Sequence, residues 1–246
     1  MLTQIPTRNI EIASYVPEAG EELMEEMVAA AEPLDGARVL HINSTAFGGG
    51  VAEILPSLIP LQVASGLDSQ WQTIRASDDF FKTTKRIHNS LQGSYVAWTE
   101  ADTETWLSTA RQNAELFEGE YDFVIVHDPQ PAPLLAALTE LRGERPPGRW
   151  LWRCHIDLTD AQPEMWDRLW SYVKLYDGMI VTSRTFVPES VRDVPVAFIP
   201  PAIDPLSAKN HPISLESAAQ ILTDYGIDVA RPIIVQVSRF DPWKDP

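Results

Sequence analysis

The chain has a single cysteine, Cys154, in 246 residues, so it cannot form an internal disulfide or build a metal cluster from cysteine. That suits a reducing compartment, and a cytoplasmic location is expected. Positive charge is scarce as well: 19 Lys and Arg stand against 35 Asp and Glu, a formal net charge of -16. Such a surface repels nucleic acid and anionic lipid on average, so neither is an expected partner. No apolar run is long enough to cross a bilayer, and no basic segment leads into an apolar one near residue 1. A soluble protein is the expectation. Its apolar fraction of 44% is ordinary for a folded domain, and the length allows one large domain or two small ones.

Glycine is also sparse, yet three of the 12 stand together at 48–50. The apolar stretch 39–42 runs through Asn43-Ser44-Thr45-Ala46-Phe47 into Gly48-Gly49-Gly50, and Val51, Ile54, Leu55, Leu58 and Ile59 follow at helical spacing. Strand, glycine turn and helix make the first half of a βαβ unit, whose turn lies at the carboxyl end of the strand, where open α/β sheets bind ligands. Backbone N–H groups beside glycine approach a ligand closely, and a helix N-terminus favours an anion such as phosphate. A turn that only needs positive φ would look the same. The spacing matches neither the dinucleotide fingerprint nor the Gly-Lys-Ser/Thr phosphate loop.

Pro17 opens an acidic helix over 18–31 with a solvated glutamate face. Further strands are predicted at 37–43, 70–75, 121–127, 150–156, 178–182 and 194–199, and helices after the glycine turn and at 102–117 and 215–225. Pro56 and Pro60 predict a kink or break in the helix that follows the glycines. Strands alternating with helices at this spacing give an α/β fold with a doubly wound, Rossmann-like parallel sheet. Residues 204–212 read as a linker, and 233–237 as a fresh strand running into Ser238-Arg239-Phe240-Asp241-Pro242-Trp243-Lys244-Asp245-Pro246. Asp128 and Asp157, each just after a strand, fit either hydroxyl ligands or turn and helix caps. Trp98, Trp106, Trp152, Trp166 and Trp170 include candidates for a ligand-stacking platform, though packing is the commoner use.

Four segments together resemble one family: residues 41–53, His127-Asp128-Pro129-Gln130, Arg153-Cys154-His155-Ile156-Asp157, and the 238–246 segment. They are similar to the retaining glycosyltransferases of family four, most closely to the trehalose glycosyltransferring synthases. Pro200-Pro201-Ala202-Ile203-Asp204-Pro205-Leu206-Ser207-Ala208-Lys209-Asn210 strengthens the closer match. The resemblance implies the amino-terminal half of a GT-B fold, with an amino-terminal lead at 1–35, an acceptor-binding domain at 36–205, a linker and helix at 206–230, and the first strand and loop of a truncated donor-binding domain at 231–246. It implies transfer of glucose from ADP- or UDP-glucose to glucose, giving trehalose with retained configuration and no metal or other cofactor, and inactivity for a chain that lacks the donor domain. A homodimer or a separately encoded donor domain would then complete the site.

By the same resemblance His155 is the active-site histidine, while Gly49, Gly50, Arg239 and Lys244 hold the donor phosphates. Asn43, Glu53, Asp128 and Asp157 are weaker acceptor-binding candidates. A retaining trehalose phosphorylase and a non-catalytic sugar-binding module are the alternatives.

Overall fold

The computed structural model describes residues 1–237. Its sheet is built on β2 (Arg38–Asn43), whose last five residues are all buried, as a strand covered on both faces must be. Parallel neighbours flank it: β3 (Asp68–Thr73) on one side and β4 (Phe123–His127) on the other, followed outward by β5 (Arg149–Arg153), β6 (Gly178–Val181) and β7 (Val196–Phe198). The short β1 (Thr3–Gln4) adds an antiparallel edge to β3, giving the order β1-β3-β2-β4-β5-β6-β7. Chain order reverses between β2 and β4, the switch point at which a doubly wound sheet opens a crevice beyond its strand ends. The expected α/β, doubly wound, Rossmann-like parallel sheet is present.

Before β2 come α1 (Val16–Ala19) and α2 (Glu21–Ala31). The single helix expected over 18–31 is thus two, because Gly20, at φ 85°, breaks the helical path between them. The glutamates of α2 are exposed, as a solvated face requires. Residues 1–35 are built into the same compact unit as the sheet, since β1 pairs with β3 and Leu2 and Tyr15 are buried.

The helix α3 (Gly50–Ala64) joins β2 to β3 and continues through Pro56 and Pro60, so of the expected kink or break there is no break. Each interior proline costs about 3 kcal/mol or more. Leu55 and Ile59 are fully buried against Trp71, each contributing roughly 1.5–3 kcal/mol, and Pro60 is itself buried. Packing of that apolar face offsets the lost hydrogen bonds.

The opposite face of the sheet carries α4 (Asp78–Leu91), α5 (Glu100–Leu116), α6 (Leu134–Arg142) and α7 (Pro163–Val173). Leu40, Ile42, Val124, Val126, Trp150 and Trp152 alternate toward these helices and form the main core with Phe80, Trp106, Leu138 and Leu169. Ser77 caps α4, and Thr99 with Asp102 forms a capping box on α5.

A second unit begins at Asp204 and contains α8 (Leu215–Asp224), whose N-terminus is capped by Ser214. Residues 233–237 form no strand, and Ile234, Val235 and Val237 are exposed. A strand is held by its ladder, and none of the described strands pairs with this segment.

Candidate active site

The carboxyl ends of β2, β4 and β5 line the switch point, and each carries part of the site. At the end of β2, Trp71 Nε1 donates to Asn43 Oδ1 (2.8 Å), while Asn43 Nδ2 donates to the Thr45 carbonyl (2.7 Å). Both ends of the Asn43 amide therefore anchor the turn. Gly48 has φ 80°, where a side chain is strained. Gly49, at φ 171° and ψ 165°, is extended, and Gly50 is the first helical residue of α3. A Cβ added at either would meet no protein atom within 4 Å. The first α3 hydrogen bond runs from Glu53 N–H to the Gly49 carbonyl (3.2 Å), so the amides of Gly50, Val51 and Ala52 precede the helical ladder and point out of the helix end. Glu53 is exposed in that first turn.

At the end of β4, Asp128 is a non-glycine residue in left-handed conformation, φ 64°. Three hydrogen bonds fix it to the end of β5 and to His155 just beyond it. Its N–H donates to the Arg153 carbonyl (2.8 Å), its own carbonyl accepts from Trp152 Nε1 (2.9 Å), and its Oδ1 accepts from the His155 N–H (2.8 Å). Burial pushes its carboxyl up to about 6, against the His155 N–H and the Arg153 charge, which favour the carboxylate. Asp128 and His155 are thus brought into direct contact. Asp157 is exposed and accepts from the Thr159 N–H (2.9 Å) and hydroxyl (2.6 Å), closing a local turn.

The His155 ring begins a line of imidazoles. His155 Nε2 lies 3.0 Å from His127 Nδ1, and His127 Nε2 lies 3.0 Å from His41 Nδ1. His41 Nε2 is 3.0 Å from Gln62 Oε1 of α3. Neighbouring rings stack at centroid distances of 5.3 Å. His41 and His127 are buried on the sheet face toward α3, and His155 is half-buried. Burial drives the His41 and His155 rings down to about 4 and His127 well below its usual range, with the Arg153 charge acting in the same direction on all three.

Sequence reasoning singled out His155 and missed His41, His127, Gln62 and Arg153 as parts of the same arrangement. The available signal was an imidazole set into each of two apolar strands, within Val39-Leu40-His41-Ile42 and at the end of Val124-Ile125-Val126-His127. Gln62 carries no such signal, because its role depends on how α3 folds back over β2. Of the tryptophans considered for stacking, Trp106, Trp152 and Trp166 are buried in the core, and Trp98 and Trp170 pack against it. Among the described residues, no group of three or more His, Cys, Asp or Glu is arranged to hold a metal ion. Arg239 and Lys244 lie outside the described residues.

Residues 41–188 match the family model described as trehalose synthase, N-terminal domain. The trehalose synthase of Rubrobacter xylanophilus is 44% identical over 100% of this chain and 59% of its own length, and that of Thermococcus litoralis is 43% identical over 92% and 54%. The chain therefore spans little more than half the length of these curated relatives. The solved structure of the trehalose-6-phosphate synthase OtsA shares the fold, with a TM-score of 0.53 at 16% identity over 77% of this chain and 55% of that one. With its glycine turn and its histidine segment both inside the matched region, the chain belongs to the trehalose synthase N-terminal domain family.

Proposed function

We propose that this chain is the acceptor-side part of a retaining glucosyltransferase that moves glucose from ADP- or UDP-glucose to glucose, forming trehalose. In that reaction the bond from the donor's C1 to the diphosphate breaks and a bond from C1 to the acceptor's anomeric oxygen forms. The hydroxyl proton leaves with the diphosphate. Charge gathers on the leaving group as the sugar becomes oxocarbenium-like, so preorganised donors aimed at the phosphates carry most of the catalysis. In this reading the amides at Gly49 and Gly50 and the positive end of α3 hold the diphosphate, joined by Arg239 and Lys244. His155 lies beside the transferred sugar, held through its backbone by Asp128. Asn43, Glu53 and Asp157 are the remaining acceptor-side candidates. The reaction needs no metal, and residues 231–246 belong to the donor-binding side.

The observation that carries this reading is the pair Gly49 and Gly50. Neither conformation requires glycine and no protein atom crowds either Cβ position, yet both residues lack a side chain where a helix end faces open space. A ligand held close to the backbone accounts for that. The test is an assay of the chain with glucose and ADP- or UDP-glucose, with His155→Ala as the control. Trehalose formed once a donor-binding domain is added to the chain, and lost in the variant, supports the proposal. Glucose binding by calorimetry with no turnover even then favours a sugar-binding module, and glucose 1-phosphate released from trehalose and phosphate favours a phosphorylase.

A further inference from the structure

Three of the five histidines in the chain form one hydrogen-bonded line from the half-buried His155 through His127 and His41 to Gln62. The N···N separations of 3.0 Å are those of direct hydrogen bonds, with a proton between each pair of ring nitrogens. Direction along the line is decided at its inner end. An amide oxygen can only accept, so the Gln62 Oε1 contact requires a proton on His41 Nε2. A neutral imidazole carries one N–H, so His41 Nδ1 must accept, and its donor is His127 Nε2. The same step repeats once more: His127 Nδ1 accepts from His155 Nε2. All three rings are then Nε2–H tautomers in head-to-tail order, and His155 Nδ1 is left as a bare acceptor. Among the described residues no group donates to it. Burial and the nearby Arg153 charge disfavour any imidazolium, which would put two protons on one ring and break the order.

We propose that Gln62, His41 and His127 are positioning residues that lock His155 in the Nε2–H tautomer, so that its Nδ1 lone pair is presented as an acceptor to a sugar hydroxyl. The identity of the ligand as a sugar rests on the proposed function; the tautomer lock does not. A ring without such a lock would exchange between tautomers and would present a hydroxyl with a donor for part of the time. The relation links α3 at two points, because the helix whose first turn faces the glycine loop also sets, through Gln62, the proton on His155.

The experiment is long-range 1H–15N NMR of the [15N]histidine-labelled chain near pH 7.5, with His88→Gln and His211→Gln in the background so that only the three rings report. Each ring should show Nδ1 at the unprotonated position and Nε2 at the protonated one. In Gln62→Leu the His155 nitrogen shifts should move toward each other as the tautomers mix, and Gln62→Glu, which restores an oxygen acceptor, should keep them apart. A protonated Nδ1 on His155 in the parent chain overturns the proposal. So does an unchanged separation in Gln62→Leu, or its loss in Gln62→Glu. Should Gln62→Leu fail to give a folded spectrum, the parent chain and Gln62→Glu still decide. The result is read without turnover, so a chain that binds no glucose but shows the locked tautomer sinks the functional reading and leaves the lock standing.

Discussion

Asp128 joins two strands through a conformation that its own Cβ disfavours. At φ 64° a residue with a side chain costs about 1–2 kcal/mol relative to a right-handed one, and Asp and Asn are among the few that visit this region, by bonding locally. Here the side chain instead bonds a distant segment, accepting from the His155 N–H, which would otherwise stand unpaired beyond the carboxyl end of β5. Asp128→Ala keeps the strain and removes the acceptor, so a loss of about 2–4 kcal/mol in unfolding free energy is expected. Asp128→Asn keeps both the oxygen and the tolerance for positive φ, and it removes a carboxyl that burial already pushes up to about 6. Its stability at neutral pH should stay close to the parent's. Denaturant titration of the two variants checks this, and equal losses in both would show that the charge of Asp128, rather than its oxygen, holds the segment.

At the start of α3 the glycines differ from one another in what the fold asks of them. Gly48 needs positive φ, whereas Gly50 is helical with empty space over its Cβ position. Gly48→Ala should therefore destabilise by about 1–2 kcal/mol, and Gly50→Ala should stabilise by roughly 0.4–1 kcal/mol through lower unfolded-state entropy. Thermal melts separate the two. A Gly50→Ala chain that melts higher but binds ADP-glucose more weakly by calorimetry would assign that glycine to the ligand, and unweakened binding would remove it from the phosphate site. The glycine turn was legible in the sequence because strand, glycines and helical spacing all point to one βαβ unit. Strands β2, β4, β5 and β6 were legible for the same reason, each being a short apolar run ended by polar residues, whereas β3 is polar but for Trp71. What escaped notice depended on contacts between segments far apart in sequence. Pro56 and Pro60 read locally as breakers, and only burial of Leu55 and Ile59 against Trp71 shows why α3 continues. His41 and His127 read as single polar residues in apolar strands, and only the parallel pairing of β2 with β4 brings them together. Residues 233–237 have a strand's composition but no pairing partner among the described strands, and composition cannot supply one.

At the scale of the whole molecule, the site groups set how stability depends on pH, and they do not all act in one direction. His41 and His155 are lowered to about 4 and His127 well below its usual 6.5, so between pH 6.5 and 4 the unfolded chain takes up three protons that the folded chain refuses. Stability from these rings is complete above pH 6.5 and is lost as the pH falls. Asp128, raised from 3.8 to about 6, works the other way: between those values the folded chain holds a proton that the unfolded chain has released. One proton of the three is thus cancelled. Unfolding free energy should fall toward acid at up to about 2.7 kcal/mol per pH unit near pH 5, two protons at about 1.36 kcal/mol each. Denaturant titrations at closely spaced pH values between 7.5 and 4.5 measure that slope. It should steepen in Asp128→Asn, which removes the opposing proton, and flatten in His127→Gln, which removes one of the three. A stability that is flat or rises toward pH 5 would mean that the buried imidazoles accept protons in the folded chain, and the neutral, ordered line from Gln62 to His155 would then be wrong.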